Sequence, residues 1–292
     1  MKILLLGSTG QVGQELLQTL PCLGEVVTLT RQQLDLSQPE TIEAAIAAVQ
    51  PDIIVNSSAY TAVDRAGSEA DLAMLINAEA PKAIAKVASQ LEAKLLHIST
   101  DYVFDGTSHV PYSETDVPNP LGVYGKSKLL GEIAIQKNCD RYIILRTAWV
   151  YGTKGRGNFV KTMLQLGKER KELKVVSDQI GSPTWAYDIA EAVVNLLAPD
   201  VPTGIYHFTN SGVASWYDLA VTTFNEAQKL GFPLVVDSVL PITTADYPTP
   251  AKRPHYSVLA NQKYTSTVAT TPPYWRDSLV AMLQELETQL NQ

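Results

Sequence analysis

Short apolar runs alternate with longer amphipathic stretches along the first half of the chain. The short runs are rich in Ile, Val and Leu, as strands buried on both faces are, and the longer stretches have apolar residues at helical spacing. This alternation predicts an α/β fold with a doubly wound parallel sheet. The predicted strands are Ile3–Leu6, Val26–Leu29, Ile53–Val55, Leu95–Ile98 and Tyr142–Leu145, and the predicted helices are Val12–Leu20, Pro39–Val49, Ala70–Leu91 and Lys126–Asn138.

The second part of the chain is less regular. Thirteen of the 17 prolines lie after residue 100. We therefore expect a sheet domain over residues 1–150 and a smaller, loop-rich lobe over residues 151–292, with some segments of the lobe returning to the sheet domain. The elements predicted in this part are strands Lys174–Val176, Ile205–Phe208 and Leu234–Val236 and helices Tyr187–Leu197, Trp216–Leu230 and Trp275–Gln289.

Length and composition exclude several classes of protein. A chain of 292 residues with 45% hydrophobic and 18% charged residues can form one large or two ordinary domains. The longest wholly apolar run, Ala44–Val49, is far shorter than a membrane span, and the apolar N-terminal stretch is too short for a signal peptide. We therefore expect no membrane association and a cytoplasmic location. The net charge of −7 argues against nucleic acid as a partner.

The two cysteines, Cys22 and Cys139, form no metal-binding or redox motif. They are far apart in the sequence, and no cluster of cysteine and histidine lies near either of them. We therefore expect each to be a small buried hydrophobic residue, with no structural zinc.

A glycine-rich segment joins the first predicted strand to the first predicted helix. Its glycines, Gly7, Gly10 and Gly13, are spaced nearly as in a dinucleotide-binding loop. Glycine permits the tight turn and lets the backbone approach a pyrophosphate at the positive end of a helix. The position favours a nucleotide site in a Rossmann-type domain, with a plain tight turn as the alternative.

The end of the second predicted strand indicates which nucleotide is bound. An NAD site usually has an acidic residue there, whereas this chain has Thr30 and Arg31. A guanidinium pairs well with the 2′-phosphate of NADP, so NADPH is favoured. The use of NADH and a surface arginine without a ligand are the open alternatives. With NADPH bound, Asp35 and Leu36 are expected over the adenine ring.

Tyr124 and Lys128 are four residues apart and share one face of a helix. An ammonium group beside a phenol lowers the pKa of the tyrosine toward a working pH and makes it a usable proton donor. A plain surface pair is the alternative. Thr100 ends the fourth predicted strand, at the edge where ligands bind in such sheets, and can add a second hydroxyl beside the tyrosine.

Five longer segments resemble the dTDP-4-dehydrorhamnose reductase family, in the extended branch of the short-chain dehydrogenase/reductase superfamily that acts on nucleotide sugars. Together they span nearly the whole chain. The segments are Ser-Thr-Asp-Tyr-Val-Phe-Asp-Gly (99–106), Val-Tyr-Gly-Lys-Ser-Lys (123–128), Arg-Thr-Ala-Trp-Val-Tyr-Gly (146–152), Asp-Gln-Ile-Gly-Ser-Pro-Thr (178–184) and Pro-Thr-Pro-Ala-Lys-Arg-Pro (248–254).

The resemblance implies roles for individual residues. Tyr124 is the implied proton donor, Lys128 tunes it and anchors the ribose, and Thr100 polarises the ketone. The implied cofactor contacts are Gly10, Gln11 and Val12 at the pyrophosphate and Ala59, Tyr60 and Thr61 after the third strand. The implied contacts of the sugar nucleotide are Thr100, Asp101 and Trp149, with Arg253 at the diphosphate. Without the resemblance, Trp149 could be a core aromatic and Arg253 a surface salt-bridge residue.

The resemblance leaves a metal ion and a dimer open. Some family members bind a magnesium ion with acidic residues at a dimer interface. Glu15 and Glu191 resemble retained ligands, but Tyr187 stands where a carboxylate is expected. His255 and Tyr256 also depart from the usual pattern, which leaves the contacts of that loop open. Magnesium and a homodimer are therefore alternatives here.

The activity that the resemblance implies is reduction of the C4 ketone of dTDP-4-dehydro-L-rhamnose, a dTDP-sugar, by NADPH to give dTDP-L-rhamnose. One alternative is another nucleotide-sugar epimerase, reductase or dehydratase. A different class of alternative is a non-catalytic NADP-binding subunit similar to the regulatory β subunit of methionine adenosyltransferase. Net consumption of NADPH distinguishes a reductase from both.

Overall fold

A six-stranded parallel sheet lies at the centre of the computed structural model, which describes residues 1–290. Its strands are β1 (Lys2–Leu6), β2 (Glu25–Thr28), β3 (Ile53–Asn56), β4 (Lys94–Thr100), β5 (Tyr142–Thr147) and β10 (Gly204–His207). The order across the sheet is β10-β5-β4-β3-β1-β2. The predicted α/β fold and all five strands predicted in the first half are confirmed.

Helices cover both faces of this sheet. They are α1 (Gln11–Thr19), α2 (Ile42–Val49), α3 (Ala70–Met74), α4 (Ala80–Gln90), α5 (Val123–Asn138) and α7 (Ala186–Leu196). The single helix predicted over residues 70–91 is interrupted by a π-helical turn, Leu75–Glu79, between α3 and α4. Within residues 1–290, no helix combines the length and apolar character that crossing a membrane would need.

Alternate residues of β1 enter different cores. Ile3 and Leu5 lie in the core that includes Leu16 of α1 and Ile189 of α7. The neighbouring Leu4 and Leu6 lie in the core on the other face, with residues of α2 and α4. Because both faces are buried, the strand is apolar at every one of these positions, which explains why the strand runs could be recognised in the sequence.

The rest of the chain forms a smaller lobe of helices and short strand pairs. Its elements are β6 (Val150–Tyr151), α6 (Phe159–Glu169), β7 (Glu172–Val176), β8 (Ile180–Gly181), β9 (Thr184–Trp185), β11 (Ala214–Ser215), α8 (Trp216–Lys229), β12 (Ser238–Ile242) and α10 (Trp275–Leu290). β7 pairs with β12, β8 with β11 and β6 with β9. Three further elements after residue 150 belong to the sheet domain: β10 joins the central sheet, and α7 and α9 (Gln262–Val268) pack in the core on one of its faces.

The predicted strand Leu234–Val236 is wrong. The backbone N–H groups of Val235 and Val236 donate to the carbonyl oxygen of Gly167 in α6, at 2.8 and 3.1 Å, and not to a neighbouring strand. Leu234 and Val236 pack into the core between α6 and α8. The apolar residues are therefore buried by helices, and the strand begins only at Ser238.

The prediction for the cysteines is half right. Cys139 is buried in the core beneath α5, with 3% of its surface exposed. Cys22 is exposed, at the end of a 3₁₀ turn. Leu20, in the same turn, is fully buried and takes the core position, so Cys22 is left facing solvent.

A buried ion pair ties α5 to the centre of the sheet. Arg146 of β5 donates from Nη2 to Glu132 Oε2 at 2.6 Å and from Nε to Oε1 at 3.0 Å. The two side chains are 2% and 0% exposed. Ser99 of β4 donates its hydroxyl to the same carboxylate at 2.5 Å, and His207 of β10 lies 3.4 Å from Arg146 Nη1. Four elements therefore share one polar cluster.

We expect Glu132→Gln to lower the free energy of unfolding by about 3–5 kcal/mol, because the guanidinium of Arg146 would stay buried without its countercharge. Urea unfolding measures the loss. The control is Glu226→Gln, whose partner Lys229 is 68% exposed, and the expected cost there is at most about 1 kcal/mol. Equal small losses in both variants would contradict the importance given to the buried pair.

Candidate active site

The glycine segment turns sharply at the end of β1. Gly7 has a φ of 83°, and a Cβ at this residue would lie 2.7 Å from the amide nitrogen of Ser58. A Cβ at Gly13 would lie 2.0 Å from the carbonyl oxygen of Gly7. Since β2 and β3 lie on opposite sides of β1, the turn is at the topological switch point, where ligands bind in such sheets.

The same turn leaves the start of α1 open to an anion. Gly10 is the N-cap and supplies no side-chain cap, so the first N–H groups of the helix, including those of Gln11 and Val12, are available. A pyrophosphate fits here because glycine leaves room for it. The Gln11 side chain accepts a hydrogen bond from Asn158 Nδ2 at 2.7 Å, which holds the loop before α6 beside this position.

The segment after β2 carries the residues predicted to select the cofactor. Thr30 donates from its backbone and hydroxyl to Gln33 Oε1, at 2.9 and 3.0 Å. Arg31 is 80% exposed, and its Nε lies 3.5 Å from Asp35 Oδ2. Hydrogen bonds from Ser37, helped by Arg31, hold the pKa of Asp35 below its usual range. Leu36 packs against the core. The guanidinium of Arg31 is therefore mostly in solvent and held only weakly.

Thr100, Asp101 and Tyr124 meet beyond the end of β4. Thr100 is 6% exposed and donates its hydroxyl to Asp101 Oδ1 at 3.0 Å. Tyr124 lies in the first turn of α5, and its phenol is close enough to the Thr100 side chain to be influenced by it. The ring of Tyr102 packs edge-on against Tyr124, with centroids 5.4 Å apart. The structure thus brings together the two hydroxyls that the sequence paired.

The pKa of Tyr124 differs from the expectation. Removal from water raises it and the carboxylate of Asp101 raises it further, against the opposing effect of the nearby Thr100 hydroxyl. The expectation that Lys128 lowers this pKa is wrong in this structure, because Lys128 Nζ bonds to His97 Nε2 at 3.1 Å and to the carbonyl oxygen of Ile98 at 2.8 Å. The raised pKa keeps the phenol protonated, as a proton donor must be.

Two buried charges near Tyr124 have pKa values shifted toward neutrality. Burial lowers the pKa of Lys128 to about 8, although Glu132 opposes the shift. Burial raises the pKa of Asp101 to about 6, opposed mainly by the nearby hydroxyls of Ser257 and Thr100; Asp101 Oδ2 itself is buried without a hydrogen-bond partner among the residues that the structure describes. Such shifts are common where side chains take part in proton transfer.

Asn77 is a site residue that sequence reasoning missed. It lies in the π-helical turn and is 1% exposed. It accepts from the Tyr60 N–H at 2.8 Å, and its Nδ2 donates to the Tyr60 carbonyl at 3.0 Å and to Ser127 Oγ at 3.0 Å. Asn77 therefore clamps the predicted cofactor segment, Ala59–Thr61, to the helix that carries Tyr124. The only available signal was an amide within an otherwise apolar helical pattern.

Trp149 lies where the second lobe meets the sheet. Its ring stacks on Trp216 of α8, with centroids 3.6 Å apart and planes 1° from parallel. A Cβ at Gly181 would lie 2.4 Å from the Trp149 ring. The backbone of Trp149 has a φ of 49°, which for a bulky residue costs on the order of 1–3 kcal/mol and persists only where packing enforces it. Sequence reasoning did not assign Trp216 to the site.

Arg253 pairs with Asp64 in this structure. Its Nη2 and Nη1 lie 2.8 and 3.1 Å from the two carboxylate oxygens, and this contact holds the pKa of Asp64 below its usual range. Arg253 also faces Tyr102, which packs on Tyr124. The salt-bridge alternative is thus realised, and through Tyr102 the pair lies close to Tyr124.

The residues expected at a magnesium ion do not fit one. Glu15 is 1% exposed, and Lys154 Nζ lies 2.8 Å from its Oε2. A lysine ammonium therefore already neutralises this carboxylate. Glu191 and Tyr187 lie on α7, and the part of the chain described by the structure holds no group of three or more acidic, histidine or cysteine side chains placed to bind a metal.

A parallel sheet with a glycine turn at its switch point and a Tyr-x-x-x-Lys pair beside it is the arrangement of the short-chain dehydrogenase/reductase class. Residues 1–288 match the family model described as the RmlD substrate binding domain. The dTDP-4-dehydrorhamnose reductase of Escherichia coli strain K12 is 46% identical, over 99% of both chains. The chain therefore belongs to the dTDP-4-dehydrorhamnose reductase family.

Solved structures of similar proteins have the same fold. The dTDP-4-dehydrorhamnose reductase of Clostridium acetobutylicum is 39% identical, with a TM-score of 0.91 over 98% of this chain and 100% of that one. The Bacillus anthracis enzyme, solved in complex with NADP, is 36% identical, with a TM-score of 0.91 over 97% of this chain and 99% of that one. The fold of this chain is the fold of those proteins.

We expect Lys154→Met to lower the free energy of unfolding by about 3–5 kcal/mol at neutral pH, because it leaves the Glu15 carboxylate buried without a countercharge. Burial already raises the pKa of Glu15, and removing Lys154 raises it further. The loss is therefore greatest above the folded-state pKa and shrinks as the pH falls through it and Glu15 takes up a proton.

Melting temperatures between pH 5 and pH 8 test this expectation. Lys82→Met is the control, because Lys82 and Glu79 form an exposed pair. A Lys154→Met variant whose deficit relative to the wild type is independent of pH would contradict the account of Glu15.

Proposed function

We propose that the chain reduces the C4 ketone of dTDP-4-dehydro-L-rhamnose to dTDP-L-rhamnose with NADPH. The carrying observation is that the side chains of Thr100 and Tyr124 lie together at the carboxyl edge of the sheet, in the same fold as a glycine turn at the start of α1, in a member of this family. The NADP bound to the Bacillus anthracis relative supports the choice of NADPH.

The residues present fit NADPH, which would supply the hydride. The turn at Gly7, Gly10 and Gly13, with the N–H groups of Gln11 and Val12, would hold the pyrophosphate. The segment Ala59–Thr61, clamped by Asn77, would line the cofactor. Arg31 would bind the 2′-phosphate after leaving its weak pair with Asp35, and Lys128 would anchor the ribose.

Tyr124 and Thr100 would act on the ketone. Both hydroxyls would reach the carbonyl oxygen, so that Thr100 polarises it while Tyr124 gives it a proton as the carbon accepts the hydride. The carbonyl oxygen thus becomes a hydroxyl and Tyr124 becomes a phenolate. To polarise the ketone, Thr100 would turn its hydroxyl hydrogen from Asp101 Oδ1, to which it donates in this structure, to the carbonyl oxygen.

The substrate would lie between the sheet and the second lobe. Trp149 and Asp101 would contact the sugar nucleotide. Arg253 would leave Asp64 and bind the diphosphate, because a planar guanidinium binds phosphate oxygens in the same bidentate manner as a carboxylate. The proposed division is a dinucleotide-binding part, residues 1–150, and a substrate-binding lobe, residues 151–292, with β10, α7 and α9 returning to the sheet domain.

Two further predictions from the sequence belong to this proposal. The homodimer is tested by sedimentation equilibrium with and without magnesium, and the pairing of Glu15 with Lys154 leads us to expect no effect of the metal. The cytoplasmic location is tested by fractionation of the source cells.

Steady-state turnover tests the proposed reaction directly. One NADPH should be oxidised for each dTDP-4-dehydro-L-rhamnose consumed. An epimerase or dehydratase would convert a nucleotide sugar without net oxidation of NADPH. A regulatory subunit would bind NADPH, turn over no sugar nucleotide and co-purify with a catalytic partner in fixed ratio.

We expect Tyr124→Phe to lower kcat by ~10²–10⁴-fold, because a general acid is lost, while the fold and NADPH affinity are retained. Stopped-flow or steady-state rates with a fluorescence titration of NADPH measure both effects. The matched control is Tyr102→Phe, which removes the hydroxyl of the ring packed against Tyr124 and should keep most of kcat. Unchanged turnover in Tyr124→Phe would exclude it as the proton donor.

Arg31→Ala should weaken NADPH binding by roughly 1.5–3 kcal/mol and leave NADH binding nearly unchanged, because a charged hydrogen bond to the 2′-phosphate is lost. Isothermal titration with each cofactor measures the difference. Arg65→Ala removes another exposed arginine, paired with Glu69, and serves as the control. Equal weakening of the two cofactors would show that Arg31 does not bind the 2′-phosphate.

A further inference from the structure

The hydrogen bond from Lys128 to His97 is one part of a longer buried chain. Lys128 Nζ lies 3.1 Å from His97 Nε2, and the other ring nitrogen, Nδ1, lies 3.0 Å from Asn56 Nδ2. The three residues are 2%, 1% and 1% exposed. They come from α5, β4 and β3, and neither Asn56 nor His97 has a part in the reaction as described so far.

The orientation of the Asn56 amide is determined by a backbone contact. The N–H group of Ser58 donates to Asn56 Oδ1 at 3.0 Å, and a backbone nitrogen can only donate. The oxygen of the amide must therefore face Ser58, and the NH₂ group must face His97. Because Nδ2 is only a donor, His97 Nδ1 must accept, and a neutral His97 then carries its proton on Nε2.

This tautomer of His97 has a consequence for Lys128. A protonated Nε2 is a donor, and it needs a lone pair on Lys128 Nζ, which an amine has and an ammonium lacks. The bond from Lys128 to the Ile98 carbonyl, at 2.8 Å, suits either form of the lysine. Every hydrogen bond of the chain is therefore satisfied only when Lys128 is neutral, and a charged Lys128 would place two donors against each other.

Burial favours the neutral forms of both side chains. Burial, together with Lys128 when it is charged, holds the pKa of His97 well below its usual range, so the imidazole is neutral, and burial lowers the pKa of Lys128 to about 8, which makes its amine form accessible near neutral pH. On α5 the carboxylate of Glu132 favours the ammonium form, but Arg146 of β5 is paired with it. Asp101, after β4, bonds to Thr100, and Tyr124 lies one turn away on α5 with a protonated phenol.

We propose that Asn56 and His97 are positioning residues for the reduction: Asn56 selects the Nε2–H tautomer of His97, and His97 thereby favours the amine form of Lys128 over the ammonium form. This inference rests on the proposed function for its catalytic meaning. A charged Lys128 cannot accept a hydrogen bond from His97 and must move away from it. Tyr124 lies on the same face of α5, so this movement changes the position of the lysine relative to Tyr124. Since Ser58 packs against Gly7, Asn56 also links the pyrophosphate turn to the charge state of Lys128.

Histidine NMR of the free protein tests the tautomer without cofactor or substrate. The chain has four histidines, so ring ¹⁵N signals can be resolved, and His97→Gln identifies the signal of His97. We expect the pattern of an Nε2–H imidazole that does not titrate between pH 6 and pH 9. An Nδ1–H pattern, or titration in this range, would overturn the proposal, even if every variant of Asn56 failed to fold.

A second experiment reverses the tautomer. In Asn56→Asp the carboxylate accepts from both Ser58 and His97 Nδ1–H, so Nε2 becomes an acceptor and favours the ammonium form of Lys128. The ¹³Cε signal of Lys128, assigned with Lys128→Arg, should titrate near pH 8 in the wild type and about one pH unit higher in Asn56→Asp. Asn225→Asp, at an exposed position of α8, adds the same charge in the other lobe and should cause no shift.

The kinetic readout separates this proposal from the proposed function. If the chain reduces the dTDP-sugar, the basic limb of its kcat profile should move with the Lys128 midpoint in Asn56→Asp. If the chain lacks that activity but both NMR results hold, only the function is overturned. A Lys128 midpoint near the ordinary pKa of lysine, about 10.4, or one that Asn56→Asp leaves unchanged, would overturn the role of Asn56 and His97.

Discussion

The buried pair of Glu132 and Arg146 is the contact on which the site depends most. Ser99, bonded to the same carboxylate, directly precedes Thr100, and Glu132 lies one helical turn after Lys128. The pair therefore fixes the height and rotation of α5 against β4 and β5. A hydroxyl pair that must meet one carbonyl oxygen needs this precision, since small misplacements of reacting groups are costly in rate.

This arrangement places a layer of polar side chains beneath the ligand-binding edge of an otherwise apolar sheet, and burying these groups costs stability. Asn56 of β3, His97 of β4 and Arg146 of β5 are each nearly inaccessible to solvent, and each is paired in the structure. Such groups stabilise a fold only weakly, but they cannot pair in an alternative packing without leaving partners unsatisfied. We interpret this layer as the means by which cofactor loop, lysine and tyrosine keep one relative position.

The features that the sequence predicted correctly depend on residues that are close together in the chain. Strands buried on both faces are apolar throughout, the turn at Gly7 needs glycine, and Tyr124 and Lys128 are spaced to share a helix face. The sequence did not predict contacts between distant positions: Lys154 meets Glu15 across 139 residues, and Trp216 reaches Trp149 from another helix. Asn77 was missed because it lies in a π-helical turn, which the sequence did not predict. Leu234–Val236 was wrongly predicted as a strand because its apolar residues look like one, whereas the amides of Val235 and Val236 bond to a carbonyl oxygen of α6.

Isotope transfer tests the central claim most directly, namely that NADPH gives its hydride to C4 of the sugar while Tyr124 supplies the proton to oxygen. The reaction would be run with NADPH deuterated at the reactive position of its nicotinamide, and the dTDP-sugar product analysed by mass spectrometry and proton NMR. The account predicts one deuterium per product molecule, located at C4. Product without deuterium, or with deuterium at another carbon, would contradict it.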